Sequence, residues 1–298
     1  MILPNITPKD TFDFIRQLLL APENTSEGKA FAKESKIHDK LPLYIDRLIE
    51  LAKNYPLSPR EFGKLVKTYG WPTSELYKEE FTRRFTDSSP TGLHNSYMEQ
   101  DLVYAARLML GYHRAEFIAP YLDKIEEISG GKRLDVLDYG CGVADISLGL
   151  ATRGHNVTLV DIDIKRYKLT KSRFSNRGLN FDAVTLPTTE MIPDLGTNTF
   201  DLALLTEVFE HVRRPRELLE SVSNALRPGG LMLNSMGIEF ERETGGDHLD
   251  ESLAEGASPE FWSEYWNSFD LVQGTKEPWL FQRKNYELLN NDVGIGNI

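Results

Sequence analysis

Two hydrophobic rhythms divide this chain. Up to about residue 125, apolar residues recur every three to four positions, as in Tyr44, Ile45, Leu48, Leu51 and Ala52, the spacing of a helix face. Thr7-Pro8-Lys9-Asp10 and Ser58-Pro59-Arg60-Glu61 each supply a hydroxyl N-cap, a proline at the first helical position and an acid at the third, so helices are predicted to start at both. Gly70 before Trp71-Pro72 ends one helix, and another is expected over about residues 73–85. The polar run Asp87-Ser88-Ser89-Pro90-Thr91-Gly92 reads as a hinge. A helical stretch from about Ser96 to Ile128 follows, in two pieces broken near Gly111 or Pro120.

Beyond residue 133 the rhythm changes. Short apolar runs at 134–139, 156–160, 180–186, 200–205 and 231–234 predict strands, and the amphipathic stretches between them predict helices, notably 165–174 and 214–226. Arg227-Pro228-Gly229-Gly230 reads as a tight turn into the fifth strand. Strands alternating with helices make an α/β fold with a doubly wound, mostly parallel sheet. An acidic insertion over 237–265 interrupts the order, with a helix starting near Ser258-Pro259. Two last runs, 269–274 and 279–284, predict an antiparallel C-terminal edge. The expected organisation is an N-terminal all-α domain (1–90), a helical connector or cap (91–125) and an α/β core (126–298).

Composition narrows the class. Of 298 residues, 40% are hydrophobic and 27% charged, as in ordinary soluble domains. No apolar run approaches the roughly 18–20 residues of a membrane span, and the first residues lack the basic-then-apolar pattern of a secretory signal. The single cysteine, Cys141, forbids an intrachain disulfide and fits a reducing, cytoplasmic setting. The formal net charge is −11, and all the excess falls after residue 125. Within 237–265, Arg242 is the one basic residue among Glu239, Glu241, Glu243, Asp247, Asp250, Glu251, Glu255, Glu260 and Glu264. Such a surface repels phosphate backbones, so no nucleic-acid partner is expected.

The chemistry concentrates at Asp138-Tyr139-Gly140-Cys141-Gly142, where the first strand runs into a glycine turn at the sheet's carboxyl edge. Three ligands compete for such a loop. A nucleoside triphosphate needs GxxxxGK[ST], and Gly130-Gly131-Lys132 precedes a strand instead of following one. A dinucleotide prefers a third glycine where Asp145 stands, and Asp138 would crowd a pyrophosphate with a second anion. S-adenosylmethionine carries an ammonium and a sulfonium and no phosphate, so a carboxylate there favours it. Asp161, at the end of the second strand, can accept hydrogen bonds from both ribose hydroxyls.

With these motifs the chain resembles the class I S-adenosylmethionine-dependent methyltransferases over about residues 126–237. Asp138-Tyr139-Gly140-Cys141-Gly142 is similar to the first family motif, with Ala144 at its last glycine. Val160-Asp161-Ile162-Asp163 resembles the acidic ribose turn, the stretch from Phe200 to Val212 the fourth-strand motif, and Leu226-Arg227-Pro228-Gly229-Gly230 the turn before the fifth strand. The resemblance implies a Rossmann-like core with S-adenosyl-L-methionine as cofactor. It implies that Asp138, Gly140 and Gly142 contact the methionine moiety and that Asp161 holds the ribose. Ile162 would pack on the adenine, and Thr206 would lie near the sulfonium. No clear residue matches the family's partner for the adenine amino group; Thr188 and Glu190 are the residues on offer.

Methyl transfer needs alignment of nucleophile, methyl and sulfur more than acid catalysis, and a base only where the acceptor must lose a proton. His211 and His248 are the candidate catalytic bases; each can equally be a structural or an exposed histidine. Tyr97, Tyr104, His113 and Trp262 are the candidate acceptor-binding residues, with His94, Tyr112, Tyr265 and Trp266 beside them, and packing is the competing role for all. Asp247-His248-Leu249-Asp250-Glu251 has donors that suit a divalent ion, but adjacent loop carboxylates are ordinarily only solvated, and no metal is expected. Cys141 lies inside the loop without a neighbouring base, so it is read as packing. The expected function is methylation of a small-molecule acceptor at oxygen, nitrogen or carbon. The N-terminal helices and the acidic insertion would cap the site, a homodimer is possible, and no membrane partner is expected. The alternatives are a protein that binds the cofactor without turnover, or a protein or tRNA methyltransferase.

Overall fold

A computed structural model describes residues 47, 50, 51, 53–55, 90–99, 101–110, 122–235, 248–256, 258–273 and 279–284. The helix starts at Thr7 and Ser58, the helix over 73–85, His113 and most of the acidic insertion's first half lie outside the described residues. The chain divides into two compact units, Met1–Glu79 with Gln100–Arg114, and Glu80–Glu99 with Ala115–Ile298. In the first, Tyr55 Oη donates to Asp101 Oδ2 at 2.5 Å and Arg47 donates to the Met109 carbonyl at 3.0 Å.

Helix α1 (Pro90–Glu99) belongs to the second unit and α2 (Asp101–Leu110) to the first. Of the predicted hinge, Asp87, Ser88 and Ser89 lie outside the described residues, while Pro90, Thr91 and Gly92 form the first turn of α1, because proline at the first helical position forfeits no intrahelical bond. Gln100 lies outside the described residues, as do Gly111 and Pro120 where the break was expected, and the helix α3 occupies residues 122–129.

The second unit is built on one seven-stranded sheet in the order β3-β2-β1-β4-β5-β7-β6. β1 (Asp135–Tyr139), β2 (Asn156–Ile162), β3 (Asp182–Leu186), β4 (Phe200–Thr206) and β5 (Leu226–Ser235) are parallel. β6 (Phe269–Gln273) and β7 (Trp279–Arg283) close the edge antiparallel. Val136, Leu137, Leu159, Val160, Leu202, Leu204, Met232 and Leu233 are buried on both faces of the central strands, which is why these strands read as continuous apolar runs. Helices α4 (Asp145–Thr152), α5 (Lys165–Ser175) and α6 (Pro215–Ala225) connect the strands. The short α7 (Asp250–Gly256) and α8 (Pro259–Ser268) follow β5, and Ser258 caps α8 by accepting from the Phe261 amide at 3.1 Å.

The predicted turn at 227–230 lies inside β5. Leu226 pairs with Phe200 and Leu231 with Leu202, so the four residues between them bulge out of the ladder. Gly229 has φ +76°, and a Cβ on Gly230 would meet the Arg227 carbonyl at 2.8 Å, so glycine is required at both. Arg227 then bridges Asp201 at 2.7 Å and Asp135 at 2.9 Å, tying β5 to the starts of β4 and β1.

Candidate active site

Strand order reverses between β1 and β4, and the loops leaving these two strands flank the crevice where open α/β sheets bind ligands. The β1 loop turns on left-handed residues, Gly140 (φ +63°), Gly142 (φ +56°) and Ala144 (φ +56°). A Cβ on Gly140 would stand 2.9 Å from Val208 in the loop after β4, so only glycine allows the two loops to approach. Ala144 holds the same backbone region at a strain of roughly 1–2 kcal/mol, and it starts α4 without a side-chain cap.

Asp138 is buried and accepts from Ser147 Oγ of α4, which fixes its carboxylate beneath the loop. Asp161, also buried, accepts from the Gly142 and Ile162 amides, each at 2.8 Å. Burial pushes the Asp161 carboxyl above its ordinary range, and Arg166 opposes that rise. Cys141 Sγ lies 3.8 Å from Asp161. Burial first, then the Asp161 and Asp138 charges, drive its thiol well up, so it stays protonated and packs.

Helix α5 clamps the loop. Thr170 Oγ1 donates to the Gly142 carbonyl at 2.6 Å, Arg173 donates to the Val143 carbonyl, and Arg173 pairs with Asp145 at 2.9 Å. These groups were not singled out in the sequence; the signal was the placing of hydroxyl and cation on one turn of a helix behind the loop. Arg166, at the start of α5, lies over the Tyr97 ring with its guanidinium carbon 5.5 Å from the centroid.

On the other flank, Thr206 is half-buried at the tip of β4 and pairs with Ser235. Glu207 follows at φ +56°, its amide donating to the Ser235 carbonyl at 2.8 Å. A single 3₁₀ turn, Phe209–His211, then presents Glu210 and His211. Tyr97 from α1 meets the His211 ring edge-on at 6.0 Å, and the His248 ring lies 5.3 Å from it. The structure thus brings together Tyr97, His211 and His248, residues from three separate segments. Trp262 instead packs with Phe261, Tyr265 and Trp266. Tyr104 lies on α2, its side chain outside the described set. Glu190 pairs with Arg213 at 3.1 Å at the surface.

A family model described as a methyltransferase domain matches residues 110–294. A ubiquinone biosynthesis O-methyltransferase of Caulobacter sp. (strain K31) is 37% identical over 100 residues, 34% of this chain and 39% of that protein. A tRNA 5-carboxymethoxyuridine methyltransferase of Escherichia coli (strain K12) is 31% identical over 113 residues, 37% of this chain and 43% of that protein. The chain thus spans less than half the length of either of these curated relatives. A solved 1,6-didemethyltoxoflavin-N1-methyltransferase of Burkholderia thailandensis is similar at 18% identity, covering 72% of this chain and 93% of that one, with a TM-score of 0.44.

Proposed function

Because the chain belongs to the methyltransferase-domain family, and its domain is of the S-adenosylmethionine-dependent class, we propose that the protein transfers a methyl group to a small-molecule acceptor by in-line displacement. The observation that carries this reading is the pair of buried carboxylates, Asp138 and Asp161, set on either side of a glycine loop at the strand-order reversal. Two negative groups in that crevice suit a cofactor that carries an ammonium and a sulfonium and no phosphate. In this reading Asp161 takes the ribose hydroxyls, Asp138 with the Gly140 and Gly142 main chain the methionine end, Ile162 the adenine face and Thr206 the sulfonium side.

The cofactor supplies the activated methyl group. The protein aligns the acceptor and excludes water, which is where most of the rate of such a displacement originates. Tyr97, His211 and His248 form the acceptor side of the site in this reading. Their imidazoles are the groups to receive a proton that the acceptor gives up. The acidic charge balance and the ubiquinone O-methyltransferase relative favour a small acceptor. The tRNA methyltransferase relative supports a second reading, in which RNA is the acceptor.

Incubation with methyl-labelled cofactor and three acceptor pools, a metabolite extract, bulk tRNA and total protein, separates these readings. Label is expected in low-mass products. Label confined to tRNA or to protein would replace the small-molecule acceptor, and S-adenosylhomocysteine formation in none of the pools would favour cofactor binding without turnover.

A further inference from the structure

Glu210, His211 and His248 each place a donor atom within 4.8 Å of the other two. His211 Nε2 lies 3.9 Å from Glu210 Oε1. Glu210 is buried, at 2% exposure, while the two imidazoles are half-buried. The segments that carry them are stitched together. The Leu249 amide donates to the Glu210 carbonyl at 3.0 Å, and buried Ser252 Oγ donates to the Val212 carbonyl at 2.5 Å. Tyr97, edge-on to His211, restricts that ring further.

Resting on the methyltransferase reading above, we propose that Glu210, His211 and His248 bind one divalent ion of borderline softness, zinc or cobalt in type, on the acceptor side of the site. Two imidazole nitrogens with one carboxylate suit such ions, whereas magnesium and calcium prefer oxygen donors alone. Bonds of about 2.0–2.2 Å set tetrahedral ligands about 3.4 Å apart, so the donors close by roughly an ångström, a movement that half-buried imidazoles make by side-chain rotation. Three protein ligands leave at least one position open. An acceptor hydroxyl or amine bound there, on the segment that directly follows the β4 tip, would be acidified by the ion and lose its proton to solvent. With the ion bound, His211 and His248 would position the acceptor through it, and the proton-accepting role given to them above would pass to water. This set differs from the run Asp247 to Glu251 considered in the sequence. It crosses from the turn after β4 to the segment before α7, and only folding brings its members together.

The test uses the untagged full-length chain after chelation and dialysis. Calorimetric titration with zinc and cobalt(II) is expected to give one ion per chain, and the cobalt form to show ligand-field bands of a site holding nitrogen and oxygen. His248→Ala and Glu210→Gln are each expected to weaken binding by about 10- to 100-fold or more. His248 is half-buried on a loop, so His248→Ala remains informative if Glu210→Gln fails to fold. Affinity for S-adenosylhomocysteine is measured in parallel on the metal-free protein. Homocysteine-nucleoside binding without stoichiometric metal, or metal binding unchanged in His248→Ala, overturns the ion site and leaves the cofactor reading standing. Metal binding without affinity for S-adenosylhomocysteine overturns the cofactor reading instead.

Discussion

Asp161 shows how one residue can couple ligand affinity to pH. Its carboxylate already accepts from two amides, yet burial holds its pKa above the ordinary range. The sign follows from the direction of that shift. The folded state keeps the proton to higher pH than the unfolded chain does, so ionising Asp161 lowers folded stability as pH rises through its raised pKa. A bound ribose would reverse this for affinity, since its hydroxyls hydrogen-bond only the ionised form well. Affinity for S-adenosylhomocysteine is therefore expected to fall as pH drops through that pKa. Asp161→Asn should weaken binding by roughly 10- to 100-fold, the value of a charge-assisted hydrogen bond or so, and flatten this part of the profile. Titration calorimetry at several pH values checks it; an unchanged profile in the variant would remove Asp161 from the ribose site. Asp138 and Asp161 were legible in the sequence because each ends a strand beside glycine or a second acid. Glu210 was not singled out, because nothing in its neighbourhood in sequence announces that His248 will arrive beside it.

At the scale of elements, the sheet stood out in the sequence and its attachments did not. β1, β2 and β4 are apolar-rich runs with an acid or a hydroxyl at or near their carboxyl ends, a pattern that parallel strands buried on two faces favour. The bulge in β5 was misplaced by a turn signal that is real but lies within the ladder, since Arg227-Pro228-Gly229-Gly230 leaves and rejoins the same pairing with β4. The α5 clamp on the glycine loop and the seating of α8 on β5 depend on side chains far apart in sequence. In the second case, Asn234 Nδ2 donates to Tyr265 Oη at 3.0 Å, with both residues buried. Burial pushes the Tyr265 phenol far up, so it remains protonated at any working pH. Tyr265→Phe keeps the ring among Phe261, Phe269 and Phe281 but strips Asn234 of this acceptor. A loss of about 1–3 kcal/mol is expected from the buried amide, read as a lower thermal midpoint. A midpoint equal to that of the parent would mean that α8 is held by its aromatic packing alone.

For the whole molecule the deciding quantity is charge. The chain carries 45 acidic and 34 basic residues, and the acidic excess lies in the part that contains the methyltransferase domain. A protein that uses tRNA as acceptor gains much of its affinity by neutralising phosphates, typically reaching nonspecific dissociation constants of about 10⁻⁴–10⁻⁶ M, with a steep loss on adding salt. A surface of net −11 opposes that term. Bulk tRNA titrated into the protein at about 50 mM salt is therefore expected to bind more weakly than about 10⁻⁴ M, with little dependence on salt between 50 and 200 mM. Filter binding or fluorescence anisotropy measures both. Micromolar binding with a steep salt slope would require a basic groove that the overall count conceals. It would move the acceptor from metabolite to RNA while leaving the carboxylates and glycine loop of the cofactor site untouched, because the two questions are answered by different parts of the sheet's carboxyl edge.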